Sequence, residues 1–138
     1  MARPEDWNRE VIDEFRENGG KVRAFRQQPL LLLTHTGART GAARTNPLAY
    51  FTDDDRYVII ASKGGAPTNP DWYHNLLANP SATAEVGIET FAVFAKEAGP
   101  QERERLWAMI TERNPAFAEY GRTTERTIPV MVLSRVVS

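Results

Sequence analysis

Two stretches of this chain carry the side chains and backbone types that hold an anion. The first, Thr36-Gly37-Ala38-Arg39-Thr40-Gly41-Ala42-Ala43-Arg44, is a glycine-bracketed turn that presents Arg39 and Arg44 beside backbone donors. Guanidinium forks grip phosphate through paired N–H bonds, and turn amides can form a concave anion nest. The same residues suit a solvated turn in which Gly37 and Gly41 only supply backbone freedom. It is not a P-loop, because no Gly-Lys-Ser/Thr follows. The second stretch is Ala61-Ser62-Lys63-Gly64-Gly65, which leaves an apolar run, followed by Asn69-Pro70-Asp71-Trp72-Tyr73-His74-Asn75. A strand end, a lysine, glycines and a helix start are the parts of a phosphate or ring-edge site. Each part alone also fits an ordinary loop, and Trp72 alone fits a core or interface.

Other chemistries find little to stand on. Cysteine is absent, so there is no disulfide framework, thiolate nucleophile, iron–sulfur cluster or cysteine zinc site. His35 and His74 make no spaced metal set, and Asp53-Asp54-Asp55 reads as a charged loop rather than a divalent-cation site. Neither a nucleophile elbow nor a glycosidase carboxylate pair is present. The formal net charge of -1 offers no general field for nucleic acid, so an anion site must be local.

The elements that must position these residues follow from periodicity. Trp7, Val11, Ile12 and Phe15 recur at helical spacing, so Pro4 to Glu17 reads as an amphipathic helix ended by Asn18-Gly19-Gly20. Its polar face is mostly acidic, which disfavours peripheral attachment to an anionic membrane. Strands are expected over Leu30–His35, Thr45–Phe51, Arg56–Ala61, Ala82–Val86, Phe91–Lys96 and Ile128–Val136. Pro47 belongs at an edge or bulge, since it has no N–H for a ladder. Helices are expected over Asp71–Ala78, capped by Asn69, and Pro100–Arg113. Six short strands with hairpin spacing and one intervening helix argue for a mostly antiparallel barrel with helices outside. A Rossmann sheet does not fit, because strands and helices do not alternate.

With 138 residues, 41% hydrophobic and 25% charged, residues 1–138 read as one globular domain. The longest apolar run, Leu30 to Leu33, is far too short to cross a bilayer, and no signal-like apolar segment opens the chain. Cytoplasm is the expected location. The acidic helix and two exposed edge strands suit a homodimer.

Four motifs in order resemble one family: Leu31 through Leu48, Ala61 through Gly65, Asn69 through Pro80, and Glu125-Arg126-Thr127-Ile128-Pro129. Together they are similar to the deazaflavin-dependent nitroreductases, oxidoreductases of the FMN-binding-like split β-barrel fold that use coenzyme F420. The likeness covers about residues 25 to 136 and implies hydride transfer from reduced F420 to a small electron-poor acceptor such as a quinone, nitroaromatic or enone.

By the same resemblance, the cofactor contacts fall on Arg39, Thr40, Arg44, Asn46, Pro47, Leu48, Ile60, Ala61, Ser62, Lys63, Gly64, Trp72, Tyr73 and Asn75. Arg39 and Lys63 would hold the anionic phosphodiester and glutamate tail, while Asn46, Pro47, Ala61 and Ser62 would flank the ring. Ser62 is also a candidate on the catalytic side, and Phe117 and Tyr120 occupy the acceptor pocket, where Tyr120 could hydrogen-bond or help protonate the acceptor. A cofactor that carries the hydride explains the missing nucleophile and metal set. Departures are Ala38, where many members have a second basic residue, Ala43 in place of a common proline, Ala49 and Phe117, which lack hydroxyls, and Thr123-Thr124 in place of an aromatic-containing stretch. Cofactor binding survives these changes more easily than nitroimidazole reduction does, since a missing hydroxyl removes a specific acceptor contact. A non-catalytic F420 carrier and an FMN-binding reductase are the alternatives that the anion turn by itself would also serve.

Overall fold

The computed structural model describes residues 4–23, 28–62, 68–124 and 126–136. The strands are β1 (Leu30–Thr36), β2 (Ala43–Ala49), β3 (Phe51–Asp53), β4 (Arg56–Ile60), β5 (Ser81–Val86), β6 (Glu89–Glu97) and β7 (Val130–Arg135). Helices are α1 (Pro4–Glu17), α2 (Asp71–Ala78), α3 (Pro100–Arg113) and α4 (Pro115–Thr123). All strand pairs are antiparallel, in the order β2-β1-β5-β6-β7-β4-β3.

The sheet's two edge strands, β2 and β3, are separated in sequence by Tyr50 alone. Neighbouring Cα atoms across a trans peptide lie about 3.8 Å apart. The two edges are therefore held together at that corner, and the sheet curls into a half-barrel in which β2 touches β4. This corner is also why there are seven strands rather than six. The expected strand Thr45–Phe51 divides at Tyr50, with β2 pairing to β1 and β3 pairing to β4.

Side-chain alternation then fills both sides of the sheet. Leu31, Leu33, Ile59, Ala84, Val93, Met131 and Leu133 pack the inner core, closed by Trp72, Tyr73 and Leu76 of α2. On the outer side, Val58, Ile60, Val130 and Val132 pack with Leu106 and Ile110 of α3 and Phe117 of α4. Leu30 and Leu32 pack with Val11 and Phe15 of α1. The four leucines from Leu30 to Leu33 are thus buried on both faces, which is why they form an unbroken apolar run. α1 is further tied down by a bidentate bond from Arg16 to Glu85, at 3.0 and 2.9 Å.

Two local expectations change. Asn69 does not cap α2: Pro70 holds the cap position, no side chain caps the helix, and Asn69 Oδ1 instead accepts from Arg126 Nη1 at 2.6 Å. α4 is an added helix, started by Asn114, whose Oδ1 accepts from the Ala116 N–H at 3.2 Å, and by Pro115 in the first turn. Its packing on α3 requires Gly121, because a Cβ there would meet Trp107 Cζ2 at 2.9 Å.

The Asp53-Asp54-Asp55 loop is a docking point rather than only a solvated run. Asp53 accepts from both Arg105 nitrogens, at 3.1 and 3.0 Å, and from Arg56, which also reaches Glu102 at 3.3 Å. These bonds, Arg105's first and Arg56's next, hold the Asp53 carboxyl down at about 2. A depressed carboxylate pKa gives stability that is complete above the unfolded value near 4 and is lost as pH falls toward 2. Asp53→Asn should therefore cost about 1 kcal/mol at pH 7, discounted for the network's partial exposure. In urea unfolding, the gap between variant and native protein should close as pH is lowered to about 2.

Candidate active site

The inner face of β1 runs Leu31, Leu33 and then His35, so the apolar row ends on an imidazole that is only 2% exposed. Two other elements converge on it. From β2, Asn46 Oδ1 lies 2.7 Å from His35 Nε2; from α2, Asn75 Nδ2 lies 3.1 Å from His35 Nδ1. Asn75 Oδ1 in turn accepts the backbone N–H of Ala38, in the glycine-bracketed turn, at 2.9 Å. Because a backbone N–H can only donate, the Asn75 oxygen is fixed as acceptor and its amide nitrogen as the donor to His35 Nδ1. His35 must then carry its proton on Nε2 and donate it to Asn46. Burial pushes the His35 pKa below its usual value of 6.5, opposed by the Asn46 bond; Arg44 lowers it further and Asp71 opposes. The ring is neutral at physiological pH.

The turn follows from local chemistry. The Gly37 N–H donates to the Ala42 carbonyl at 2.8 Å and the Gly41 N–H to the Gly37 carbonyl at 2.9 Å, while Gly41 sits at φ 71°, where a side chain would be strained. Ala38, Arg39, Thr40 and Arg44 are exposed. Arg16, Arg56, Arg105, Arg122 and Arg135 all pair with carboxylates, whereas Arg39 and Arg44 have no ion-pair partner among the described residues. β2 is an edge strand, as Pro47 requires, and Thr45 through Ala49 are half-buried on both faces. Asn46 Nδ2 has no protein partner and no buried polar atom is left unsatisfied among the described residues, so that NH₂ faces solvent.

At the end of β4, Ala61 and Ser62 are buried. Their carbonyls both accept from Arg126 Nη2, at 3.0 and 2.8 Å, and the Ala61 N–H donates to Pro129 at 3.0 Å. Arg126 is thus a clamp that fixes the backbone leaving β4 and, through Asn69, the approach to α2. Lys63, Gly64 and Gly65 lie outside the described residues.

The structure brings Asn46 and Asn75 together through His35, with the Arg39 turn tethered by Ala38. Trp72 joins the inner core, and Tyr73 donates its hydroxyl to Glu97 at 2.5 Å; burial, with that bond adding to it, pushes its pKa up to about 12. Leu48 lines the inner core while Ile60 lies in the outer one. Phe117 and Tyr120 sit on α4 in the outer core, edge-to-face with each other at 5.6 Å, and Phe117 is likewise edge-to-face with Phe51 at 5.7 Å. A cleft of about 470 Å³ beside α4 is lined by Arg103, Trp107, Gly121 and Arg126 rather than by this pair. Among the described residues, no group of three or more histidine, aspartate or glutamate side chains could hold a metal. None of the described helices is long and apolar enough to cross a membrane.

Sequence reasoning passed over His35 as a lone histidine and Arg126 as one letter of a motif. The signal for His35 was its place at the end of a period-two apolar row, where a polar residue needs partners.

Residues 7–135 match the model of the F420H(2)-dependent quinone reductase family. The chain belongs to this family. An F420H(2)-dependent quinone reductase of Mycobacterium tuberculosis (strain ATCC 25618 / H37Rv) is 47% identical over 110 residues, 78% of this chain and 74% of the relative. The solved structure of an F420-H2 dependent reductase, FDR-A, is 38% identical with TM-score 0.71, covering 77% of this chain and 94% of that one. A second, described as a domain-swapped dimer, is 34% identical with TM-score 0.74, covering 96% and 100%.

The family makes this chain an F420H2-dependent oxidoreductase of the split-barrel fold, with coenzyme F420 rather than FMN as its cofactor. The residues present fit an anionic cofactor: two unpaired guanidiniums and an outward amide NH₂ border an uncovered edge strand. As a test of the clamp, Arg126→Lys keeps the charge but cannot span three acceptors, so urea unfolding should show a loss of about 1 to 2 kcal/mol. Unchanged stability would mean that the clamp contributes nothing.

Proposed function

We propose that this chain reduces quinones with F420H2 held along the open edge of β2. Arg39 and Arg44, with Lys63, would take the anionic tail, while Asn46, Pro47, Ala61 and Ser62 would flank the ring. The observation that carries this reading is that Arg39 and Arg44 stand together on one exposed turn beside the open β2 edge with no ion-pair partner among the described residues, whereas Arg16, Arg56, Arg105, Arg122 and Arg135 are paired with carboxylates. A guanidinium left unpaired on a protein surface keeps its bidentate fork available for a phosphate or carboxylate.

When bound, reduced F420 supplies the hydride. The chain's own work is then positioning and electrostatics. Asn46 presents donors from a fixed amide, the Arg126 clamp holds Ala61 and Ser62 in place, and Trp72 with Tyr73 backs α2. On the acceptor side, Phe117 offers an apolar wall and the half-buried Tyr120 a hydroxyl donor for a quinone oxygen. The domain-swapped neighbour supports a homodimer for this chain as well, and sedimentation equilibrium giving the monomer mass alone would exclude it.

Purified protein titrated with F420, reduced F420 and FMN should bind the deazaflavins more tightly, and should oxidise reduced F420 when menadione is added. Tight F420 binding without turnover over a broad acceptor panel would replace the reductase by a carrier. Arg39→Ala and Arg44→Ala should each weaken F420 binding more at low salt than at high, because charge pairing is screened over about 10 Å at 0.1 M. Equal losses at both salts would refute the anion role.

A further inference from the structure

We propose that His35 is the positioning residue of the cofactor cradle, its Nε2–H tautomer deciding that Asn46 turns an NH₂ donor, and not a carbonyl, toward the ligand. The inference rests on the F420 reading for the identity of that ligand, but its geometry stands on the protein alone. Four groups form one chain of polarity: Ala38 N–H to Asn75 Oδ1, Asn75 Nδ2 to His35 Nδ1, His35 Nε2–H to Asn46 Oδ1. Only the first link has a fixed sense, set by the backbone. Each later link inherits it, so the turn that carries Arg39 dictates, across 37 residues of sequence from Ala38 to Asn75 and 40 from His35 to Asn75, the orientation of an amide on β2.

The alternative orientation is disfavoured at every step. An Asn75 flip would set its NH₂ against the Ala38 N–H, and a proton on Nδ1 would face the Asn75 NH₂, two donors in each case. Burial and the nearby Arg44 guanidinium, with Asp71 as the opposing charge from α2, keep the imidazole from gaining a second proton. His35 lies opposite Arg44 in the β1–β2 register and holds Asn46 two residues along, so its ring spans the strand pair that also carries the unpaired guanidinium. A buried imidazole with both nitrogens bonded is a rigid connector, and loss of one partner leaves the other donors unsatisfied.

The first test needs no ligand. Long-range ¹H–¹⁵N correlation spectra of the native protein should show His35 protonated on Nε2 and bare on Nδ1 from neutral pH upward; the opposite tautomer, or an averaged one, would overturn the proposal. The second is a double-mutant cycle read by equilibrium F420 binding. His35→Leu, which continues the apolar row, and Asn46→Ala should each weaken binding about tenfold, and the double variant no more than either alone. Additive losses would reduce His35 to a packing residue and overturn the proposal. Should His35→Leu fail to fold, His35→Gln, which keeps one donor and one acceptor, serves in its place and should retain more of the affinity. Native protein that shows the Nε2–H tautomer but does not bind F420 would refute the cofactor reading and leave the fixed amide polarity standing.

Discussion

One residue of chain joins the two edges of the sheet. β2 and β3 close opposite ends of the strand order, and because only Tyr50 lies between them the sheet has no freedom to open flat. Curling, with α1 packed outside, buries β1 on both faces, and this is the reason β1 can be four leucines in a row. The corner itself is bonded: the Tyr50 N–H donates to Pro29, its carbonyl accepts from Gln28, and its ring stands edge-on to Tyr57 at 5.5 Å. The same constraint leaves β2 as an edge strand, so Pro47 costs no ladder bond and a ligand can lie against Asn46, Pro47 and Leu48.

At the mouth of the half-barrel the apolar inner row gives way to polar groups, and the change is sharp. Leu33 and His35 are two residues apart on one face, the first in the core and the second bonded at both nitrogens. Buried polar groups are tolerable only when satisfied. Here the partners come from β2 and α2, so the bonds that satisfy the imidazole also fix how the strand, the turn and the helix sit against one another. Two surface arginines staple elements, α1 to β5 through Arg16 and α3 to the β3–β4 hairpin through Arg105. Those of the turn staple nothing, a distribution that net charge alone could not reveal.

Much of this was legible in residue order. α1, α2 and α3 have the expected bounds because apolar spacing, Pro4, Pro70 and Pro100 mark them. The edge placement of Pro47 followed from its missing N–H. The corner at Tyr50 was not legible, since Thr45 to Phe51 has the local pattern of one strand and divides only because its halves pair with β1 and β4, partners distant in sequence. Asn69 failed as a cap because a competing partner, Arg126, lies 57 residues away. α4 could have been read from Asn114-Pro115, a side-chain cap followed by a first-turn proline. His35 was seen and undervalued, because its significance is a pair of contacts made by tertiary structure.

The two sides of the proposed site are held by different kinds of force, and this bears on how each can change. Asn46, Asn75, Ala61 and Ser62 are fixed by directional bonds in which each group has one acceptable partner. Phe117 and Tyr120 are held by edge-to-face ring contacts and outer-core packing, which tolerate substitution by residues of similar volume. The two sides meet at the end of β4, where Ile60 faces the outer core and Ala61 the inner. A substitution on α4 can therefore reshape an acceptor pocket without disturbing the amide polarity of β2. Ala38 and Ala43 depart from the family pattern at exposed positions whose side chains take no part in the bonds around His35, and Phe117, Thr123 and Thr124 depart on and beside α4; on the proposed reading, loss of a hydroxyl on α4 would alter which acceptor is gripped, whereas loss of a bond around His35 would unsettle the cofactor for every acceptor.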